Sequence, residues 1–229
     1  MPETLSITFD ALRRELGRFL GFRIGTNDSV ADWSAEQIGD VNDIIKSGLR
    51  LVYWPLIPGE QGANVYQWSF LKKRATLALV AGTNTYDLPA DYNGMISWPT
   101  FPAGSNKRIL ERNSEEDIVT LYAKNDVSGV PVYCAVRAKD TAYNALTSYE
   151  LLVYPRPLEA GTLSFRYTLD PPMLADDNQI PLGGAQLSLA LLEGCLSEAE
   201  KTLGDTEGLH YKKFQEALAR CIQYDQQFE

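Results

Sequence analysis

Cysteine, histidine and long apolar runs are scarce in this sequence, and each scarcity excludes a class of protein. Its 229 residues include three cysteines (Cys134, Cys195 and Cys221, with no CxxC pair) and one histidine. A disulfide framework or a zinc site needs these residues at higher density and at short spacing. No apolar run approaches the roughly 18 residues of a membrane span. We therefore predict buried free thiols, no metal, no cofactor and no membrane contact.

The charge of the sequence is unbalanced in favour of acids. The chain has 30 Asp and Glu against 21 Lys and Arg, which gives a formal net charge of −9. Residues 1–74 hold 9 acids and 9 bases, residues 75–182 hold 13 and 8, and residues 183–229 hold 8 and 4. Because binding to a phosphate backbone needs clustered cations, general binding to nucleic acid through surface charge is not expected.

Motifs that carry enzymatic chemistry are missing as well. The sequence contains no HExxH, no phosphate-cradling GxxxxGK[ST] and no GxGxxG. His210 falls on the polar side of the last predicted helix, without the Ser or Cys partner that a catalytic triad requires. We predict no catalytic residue and a solvated surface position for His210. The opening segment, Met1–Asp10, lacks the pattern of a secretory signal, which predicts synthesis in the cytoplasm.

Helical periodicity is confined mainly to the two ends of the chain. From Leu5 onward, apolar residues recur at three- and four-residue steps, which predicts a first helix. Ser34 and Gln37 are spaced as in a capping box and predict the start of a second helix. Two further helices are predicted from Ala185 to the end of the chain. The residues predicted to pack the helical body are Ile38, Val41, Ile45, Leu189, Leu192 and Leu196.

The middle of the chain changes to the alternating pattern that is typical of strands. Strands are predicted at ATLALVAG, TNTYDLP, KRILER, VPVYCAVRA, YELLVYP and LSFRYTL. Gly82, Thr83 and Asn84 predict a tight hairpin between the first two of these segments, and Ser114 predicts the cap of a short helix. Strands at this spacing, without long helices between them, indicate a mainly antiparallel sheet or a small sandwich.

The fold class that these patterns predict is α+β. We expect a helical bundle built from both chain ends, with an antiparallel β-rich domain inserted between them. The predicted boundaries assign residues 1–72 and 181–229 to the helical domain and residues 73–180 to the inserted domain. Since an amphipathic helix is stabilised by burying its apolar stripe, the two ends must pack against each other or against a neighbouring chain.

One segment resembles a known family. VAGTNTYDLPADYNGM, from Val80 to Met95, resembles the GT–x–x–Y–x–LP–x–D segment of phage head-to-tail adaptor proteins, including the tail tubular protein A type. Other segments fit that family in order along the chain, from about residue 30 to the end. The motif residues, with a structural role, are Gly82, Thr83, Tyr86, Leu88, Pro89 and Asp91.

The resemblance implies structural work in a bacteriophage virion and no enzymatic activity. Such adaptors form rings, typically twelvefold, that dock under the portal protein and present a platform to tail or nozzle proteins in the neck. The helical domain would then form the body of the ring and the β-rich domain would project from it. DNA would pass through the lumen without specific binding, past a net-acidic subunit that repels phosphate.

Two alternatives remain open from the sequence. The first is another neck protein, such as a stopper or a tail terminator. The second is a carbohydrate-binding or hydrolytic β-domain, since two carboxylates can hydrolyse a glycosidic bond and aromatic rings can stack on sugars. The carboxylates that border aromatic-rich strands are Asp87, Asp91, Glu150, Asp170, Asp176 and Asp177.

Overall fold

The structure is a computed structural model. The part of the chain that it describes contains five α-helices and eleven strands. That part comprises residues 5–22, 30, 33–59, 62–105, 109–139, 147–204 and 208–228. The helices are α1 (Phe9–Phe19), α2 (Ala35–Tyr53), α3 (Glu115–Lys124), α4 (Gly184–Thr202) and α5 (Leu209–Asp225). The strands are β1 (Leu56–Gly59), β2 (Gly62–Val65), β3 (Lys72–Leu79), β4 (Thr85–Asp87), β5 (Tyr92–Thr100), β6 (Glu111–Arg112), β7 (Ser128–Gly129), β8 (Tyr133–Ala138), β9 (Tyr149–Tyr154), β10 (Arg156–Pro157) and β11 (Gly161–Leu169).

The chain divides into two units. The helical unit combines Met1–Phe70 with Pro171–Glu229, and the β unit is Leu71–Asp170. Helices α1, α2, α4 and α5 and the antiparallel pair β1–β2 belong to the helical unit, whereas α3 and the other strands belong to the β unit. The predicted α+β class is confirmed. Among the described residues, no helix has both the length and the apolar character that crossing a membrane requires.

Side-chain caps start three of the helices. Ser34 Oγ accepts a hydrogen bond from the backbone N of Gln37, whose side-chain oxygen accepts one from the backbone N of Ser34, so the predicted capping box is present. Ser114 caps α3, as predicted, because its Oγ accepts a hydrogen bond from the backbone N of Asp117. Thr8 caps α1, so this helix starts later than the predicted stripe, and Leu5 lies outside it with 92% of its surface exposed.

A glycine allows the closest approach of two helices in the helical unit. A methyl group at Gly48 of α2 would lie 2.7 Å from Cα and 2.8 Å from the backbone N of Cys195 in α4. Cys195 is fully buried there, and its Sγ lies 3.9 Å from the carbonyl oxygen of Ile45. Gly194, the residue before Cys195 in α4, faces the ring of Phe214 in α5. Helix α4 therefore packs against both α2 and α5.

The position of α4 between its neighbours explains which predicted packing residues are buried. Val41, Ile45 and Leu196 are buried, and Ile38 and Leu192 are half-buried. Leu189, however, is 54% exposed, so its assignment to the core of the chain is wrong. The buried face of α4 is centred on Leu191 and Cys195, and Leu189 lies roughly 200° around the helix from Leu191.

The end of α5 is fixed to the segment that precedes the β unit. Asp225 is 6% exposed, and its carboxylate accepts hydrogen bonds from the hydroxyl of Tyr66 (2.9 Å) and from the backbone N (2.8 Å) and hydroxyl (2.5 Å) of Ser69. Between them, the fully buried Trp68 donates its indole N–H to the carbonyl oxygen of Val52 at 2.8 Å. These bonds satisfy polar groups that would otherwise be buried without partners.

The β unit contains a three-stranded sheet, β3-β11-β5, and a four-stranded sheet, β4-β9-β8-β6. All pairs in it are antiparallel except the short pairs β6–β8 and β7–β10. The predicted hairpin at Gly82–Asn84 is wrong, because β3 pairs with β11 while β4 pairs with β9. The chain uses this turn to pass from one sheet to the other. Of the predicted strand at KRILER, Glu111–Arg112 is a strand, and residues 107–108 lie outside the described residues.

Two glycines of α2 give a matched test of the contact between α2 and α4. Gly39→Ala meets open space, so the better helix propensity of alanine should raise the free energy of unfolding by up to about 1 kcal/mol. Gly48→Ala gains the same propensity but collides with the backbone of α4, so the free energy of unfolding should fall by about 1–3 kcal/mol. Urea denaturation of both variants measures the two values. Equal effects of the same sign would contradict the close approach.

Candidate interaction surfaces

The turn at the start of the motif, before β4, is held by one phenol. Tyr86 is 8% exposed. Its hydroxyl donates to the carbonyl oxygen of Thr83 (2.8 Å), lies 3.0 Å from the carbonyl oxygen of Val80, and accepts from the backbone N of Val80 (3.1 Å). Burial raises the pKa of this phenol, so it remains protonated. Gly82 supplies the positive φ (78°) of the turn.

The second half of the motif connects to neighbouring strands through Asp91. Its carboxylate accepts hydrogen bonds from Lys73 Nζ (2.7 Å) and from the Tyr167 hydroxyl (2.8 Å), and its carbonyl oxygen accepts from the backbone N of Asp170 (2.7 Å). Burial acts to raise the pKa of Asp91, but the bonds from Lys73 and Tyr167 outweigh it and hold that pKa below its ordinary value. Asp91 therefore joins β3, β11 and the start of β5.

Leu88 and Pro89 complete the motif. Leu88 is buried and its backbone N donates to the carbonyl oxygen of Tyr149 at 2.9 Å. The carbonyl oxygen of Pro89 accepts from the backbone N of Tyr92 at 3.0 Å, which closes a turn. The motif side chains thus bond within the β unit, and this arrangement fits a structural role.

The carboxylates considered for carbohydrate chemistry are largely engaged with cations. Asp87 bonds Lys139, and Glu150 bonds Arg137. Asp91 bonds Lys73, and Asp177 bonds Arg13 through a contact of 2.7 Å. Asp176 accepts a hydrogen bond from the backbone N of Asn178. These contacts fix loops and strands. Asp87 and Glu150 are register partners on β4 and β9, and each of the two is held by a cation.

His210 is not the solvated surface residue that the sequence predicted. Its side chain is 19% exposed, and its Nδ1 lies 2.7 Å from Oε2 of Glu193. The Glu200 carboxylate accepts from the backbone N of His210 at 3.1 Å and so caps α5, whose N-cap residue, Gly208, has no side chain to do so. The ring also makes an edge contact with Phe19, at 5.3 Å between centroids. His210 therefore fixes α5 to α4 and α1.

The three thiols lie in apolar surroundings. Cys134, Cys195 and Cys221 are free and buried. Burial raises the pKa of Cys134 and Cys195 to about 12, which keeps both in the unreactive thiol form at neutral pH. Within the described ranges, no group of three or more His, Cys, Asp or Glu side chains is placed to hold a metal ion.

A concave surface lies on the helical unit, between α2 and α5. This α2–α5 groove encloses about 710 Å³. Arg50 and Gln215 supply its polar edge, and the other lining side chains are mainly apolar. Those lining residues are Leu51, Trp54, Pro55, Leu56, Tyr211, Phe214, Leu218, Ala219 and Ile222. A groove with this lining suits an apolar side chain of a protein partner better than a charged or catalytic reaction centre.

One sign of this groove is visible in the sequence. Leu218 and Ile222 belong to the apolar stripe of the last helix, but Phe214 and Cys221 of the same helix are buried while Leu218 and Ile222 are only half-buried. A stripe wider than its core contact leaves one edge uncovered. Periodicity alone could not separate the two edges, because both belong to one continuous helical face.

The Tyr86 hydroxyl offers a test of the motif. Tyr86→Phe removes the group that satisfies the backbone of Val80 and Thr83, so we expect the free energy of unfolding to fall by about 1–2 kcal/mol. Tyr133→Phe is the matched control, since that half-buried ring packs on the core of the same unit. Its substitution should change stability by less than about 0.5 kcal/mol. Thermal and urea unfolding compare the two.

Because of the Asp91 carboxylate, we expect the free energy of unfolding to depend on pH. Because its folded-state pKa lies below the unfolded value, its contribution is present at neutral pH and is lost as the pH falls through the folded pKa. Asp91→Asn should lower the free energy of unfolding by about 1 kcal/mol at pH 7. The difference in free energy of unfolding between Asp91→Asn and the unsubstituted chain should become smaller below about pH 4.

Asp87→Asn is the control for that titration. The Asp87 side chain is 71% exposed in its pair with Lys139, so its substitution should cost at most about 0.5 kcal/mol. Urea unfolding across a pH series measures both variants. A difference between Asp91→Asn and the unsubstituted chain that stays constant into acid would contradict the assignment.

Comparison with protein families agrees with this structural role. The model of the SU10 adaptor protein family matches residues 7–228, nearly the whole chain. No curated protein matches this chain. The family is a phage adaptor family, so the family suggested by the sequence is confirmed, and this family implies a structural virion component rather than an enzyme. The chain belongs to the SU10 adaptor protein family.

Proposed function

We propose that this chain is a head-to-tail adaptor subunit that forms a ring between the portal protein and the tail components. The observation that carries the proposal is the α2–α5 groove, an apolar concave surface on a chain that belongs to a phage adaptor family. Covering apolar surface with a protein partner is favourable, because it removes that surface from water. The occupant that we propose is a neighbouring copy of the same chain.

A ring needs two different complementary surfaces on each subunit. Subunits related by rotation in a ring make heterologous contacts, in which one patch meets another patch of the next copy. The helical unit carries apolar side chains outside the groove that could fill this second role. The exposed examples are Leu189 (54%), Leu203 (65%) and Leu209 (61%). Contact with the next copy in the ring would then cover Leu189, which a single chain leaves exposed.

The further arrangement of the ring is part of the same proposal. The helices from both chain ends (residues 1–72 and 181–229) form a bundle that makes the body of the ring, typically twelvefold, and the β-rich domain (residues 73–180) projects from it. Subunits made in the host cytoplasm join the neck of the virion, where portal and tail or nozzle proteins are their partners. The net charge of −9 favours a lumen that lets DNA pass without specific binding.

One substitution in the groove tests the contact between copies. Ala219 is exposed and lines the groove, so Ala219→Glu places a charge there without disturbing the core. Gln223→Glu adds the same charge at an exposed position of α5 that does not line the groove. We expect both variants to melt like the unsubstituted chain, since surface changes away from the core usually shift stability by less than about 0.5 kcal/mol.

The readout is assembly on the purified portal of the same phage, followed by mass photometry and electron microscopy. The unsubstituted chain and Gln223→Glu should form a ring, and Ala219→Glu should assemble at least about tenfold more weakly, because a buried unpaired carboxylate opposes the contact. Assembly of Ala219→Glu at full strength would remove the groove from the interface. Absence of any ring with the unsubstituted chain would overturn the proposed function itself.

A further inference from the structure

The three-stranded sheet has one face without an apolar covering. Along β11, Leu163, Phe165, Tyr167 and Leu169 are buried, and Ser164 and Arg166 alternate with them and are exposed. Opposite them on β3 lie Thr76 and Arg74, which are exposed as well. This solvent face of the sheet is therefore hydroxylic and cationic, within a stretch of the chain that is otherwise rich in acids.

Two arginines oppose each other directly on that face. Arg166 of β11 is the register partner of Arg74 of β3. Directly opposed residues of antiparallel strands have Cβ atoms about 4.5–5.5 Å apart, and like charges at that distance destabilise the pair. The antiparallel pairing of β3 with β11 fixes the two cations in this position, so the chain keeps them together at a cost in stability.

Neither arginine has an acidic partner within the described residues, whereas four other cations of the β unit do. In the same unit, Lys73 bonds Asp91, Arg137 bonds Glu115 and Glu150, Lys139 bonds Asp87, and Arg156 bonds Asp126. For Arg74 and Arg166, no described carboxylate lies within the 4 Å of an ion pair. The exposed pair is thus left with uncompensated charge.

A groove of about 560 Å³ lies between these two side chains. Its lining includes the hydroxyl-bearing residues Thr76, Ser97, Thr100 and Ser164. The pairing of β11 with β5 shifts its register here, between Ser164 and Arg166, and the Arg166 backbone N donates to Ser97 Oγ at 3.0 Å. Such irregularities redirect side chains at binding sites.

We propose that Arg74 and Arg166 form a binding site for carboxylates on an acidic segment of a partner protein. The guanidinium group presents its N–H donors as a planar fork that matches a carboxylate, and the groove hydroxyls can donate further hydrogen bonds. A bound anion would also remove the repulsion between the two arginines. This site lies on the β unit and does not depend on the α2–α5 groove or on the ring.

A protein carboxylate fits this surface better than DNA. Binding to a duplex draws on many phosphate contacts along a cationic track. Here the cations are a single opposed pair, in a chain with a net charge of −9 that repels a polyanion at longer range. A short acidic segment needs only the local pair and therefore meets less repulsion.

Anisotropy at low salt, with a fluorescein-labelled polyglutamate peptide, tests the site on the full chain. Arg74→Gln and Arg166→Gln should each weaken binding about threefold, and the double variant about tenfold. Lys46→Gln is the matched control, because it removes an equal charge from an exposed position of α2 in the helical unit. Its binding should stay near that of the unsubstituted chain. Equal binding by the double variant and the control, or no binding by the unsubstituted chain, would overturn the proposal.

Two further measurements separate this site from its alternatives. Without ligand, Arg166→Gln should raise the melting temperature by about 1–2 °C at low salt and by less at high salt, because it relieves the repulsion. A fall in melting temperature would show that the two arginines stabilise the fold, and it would contradict the proposal that they are kept for binding. A labelled DNA duplex should bind weakly and independently of both arginines. Arginine-dependent binding of the duplex that is tighter than that of the peptide would assign the site to nucleic acid and refute the proposal.

Discussion

The missing side chain of Gly48 is the constraint on which the helical unit depends. It brings the backbone of α2 against that of α4, so Ile45 and Cys195, 150 positions apart, come into contact. Closing so long a loop costs conformational entropy. The β unit reduces that cost when it folds, because β3 and β11 are its first and last long strands. They pair with each other from Lys72 opposite Thr168 to Leu79 opposite Gly161. The two termini of the insertion are thereby held on adjacent strands.

The same contact determines which surfaces are left uncovered. Helix α4 uses its broad face against α1, α2 and α5, so nearly every position from Ala190 to Glu200 is buried. Leu189 and the outer edges of α2 and α5 stay partly uncovered within the described unit. The packing that stabilises a single chain therefore also produces the apolar surfaces that we assign to contacts between copies.

Local signals in the sequence predicted local structure well, since caps and periodicity act over a few residues. The capping box at Ser34, the cap at Ser114 and the change from helix to strand are examples. Strand partners could not be predicted in this way, because the turn at Gly82 is equally compatible with a hairpin and with a passage between sheets. The contacts of His210 depend on Glu193 and Glu200, which a different helix supplies.

The motif that resembles the adaptor family is not the surface that we expect to select partners. Tyr86, Leu88 and Asp91 direct their bonding into the β unit, where they hold a turn and three strands. Such a motif can be shared by adaptors with different neighbours, because it specifies a fold. The Arg74–Arg166 pair lies outside the motif on solvent-facing positions, where we expect substitution to leave the fold intact. Partner choice can then change by surface substitution while the motif continues to specify the same β unit.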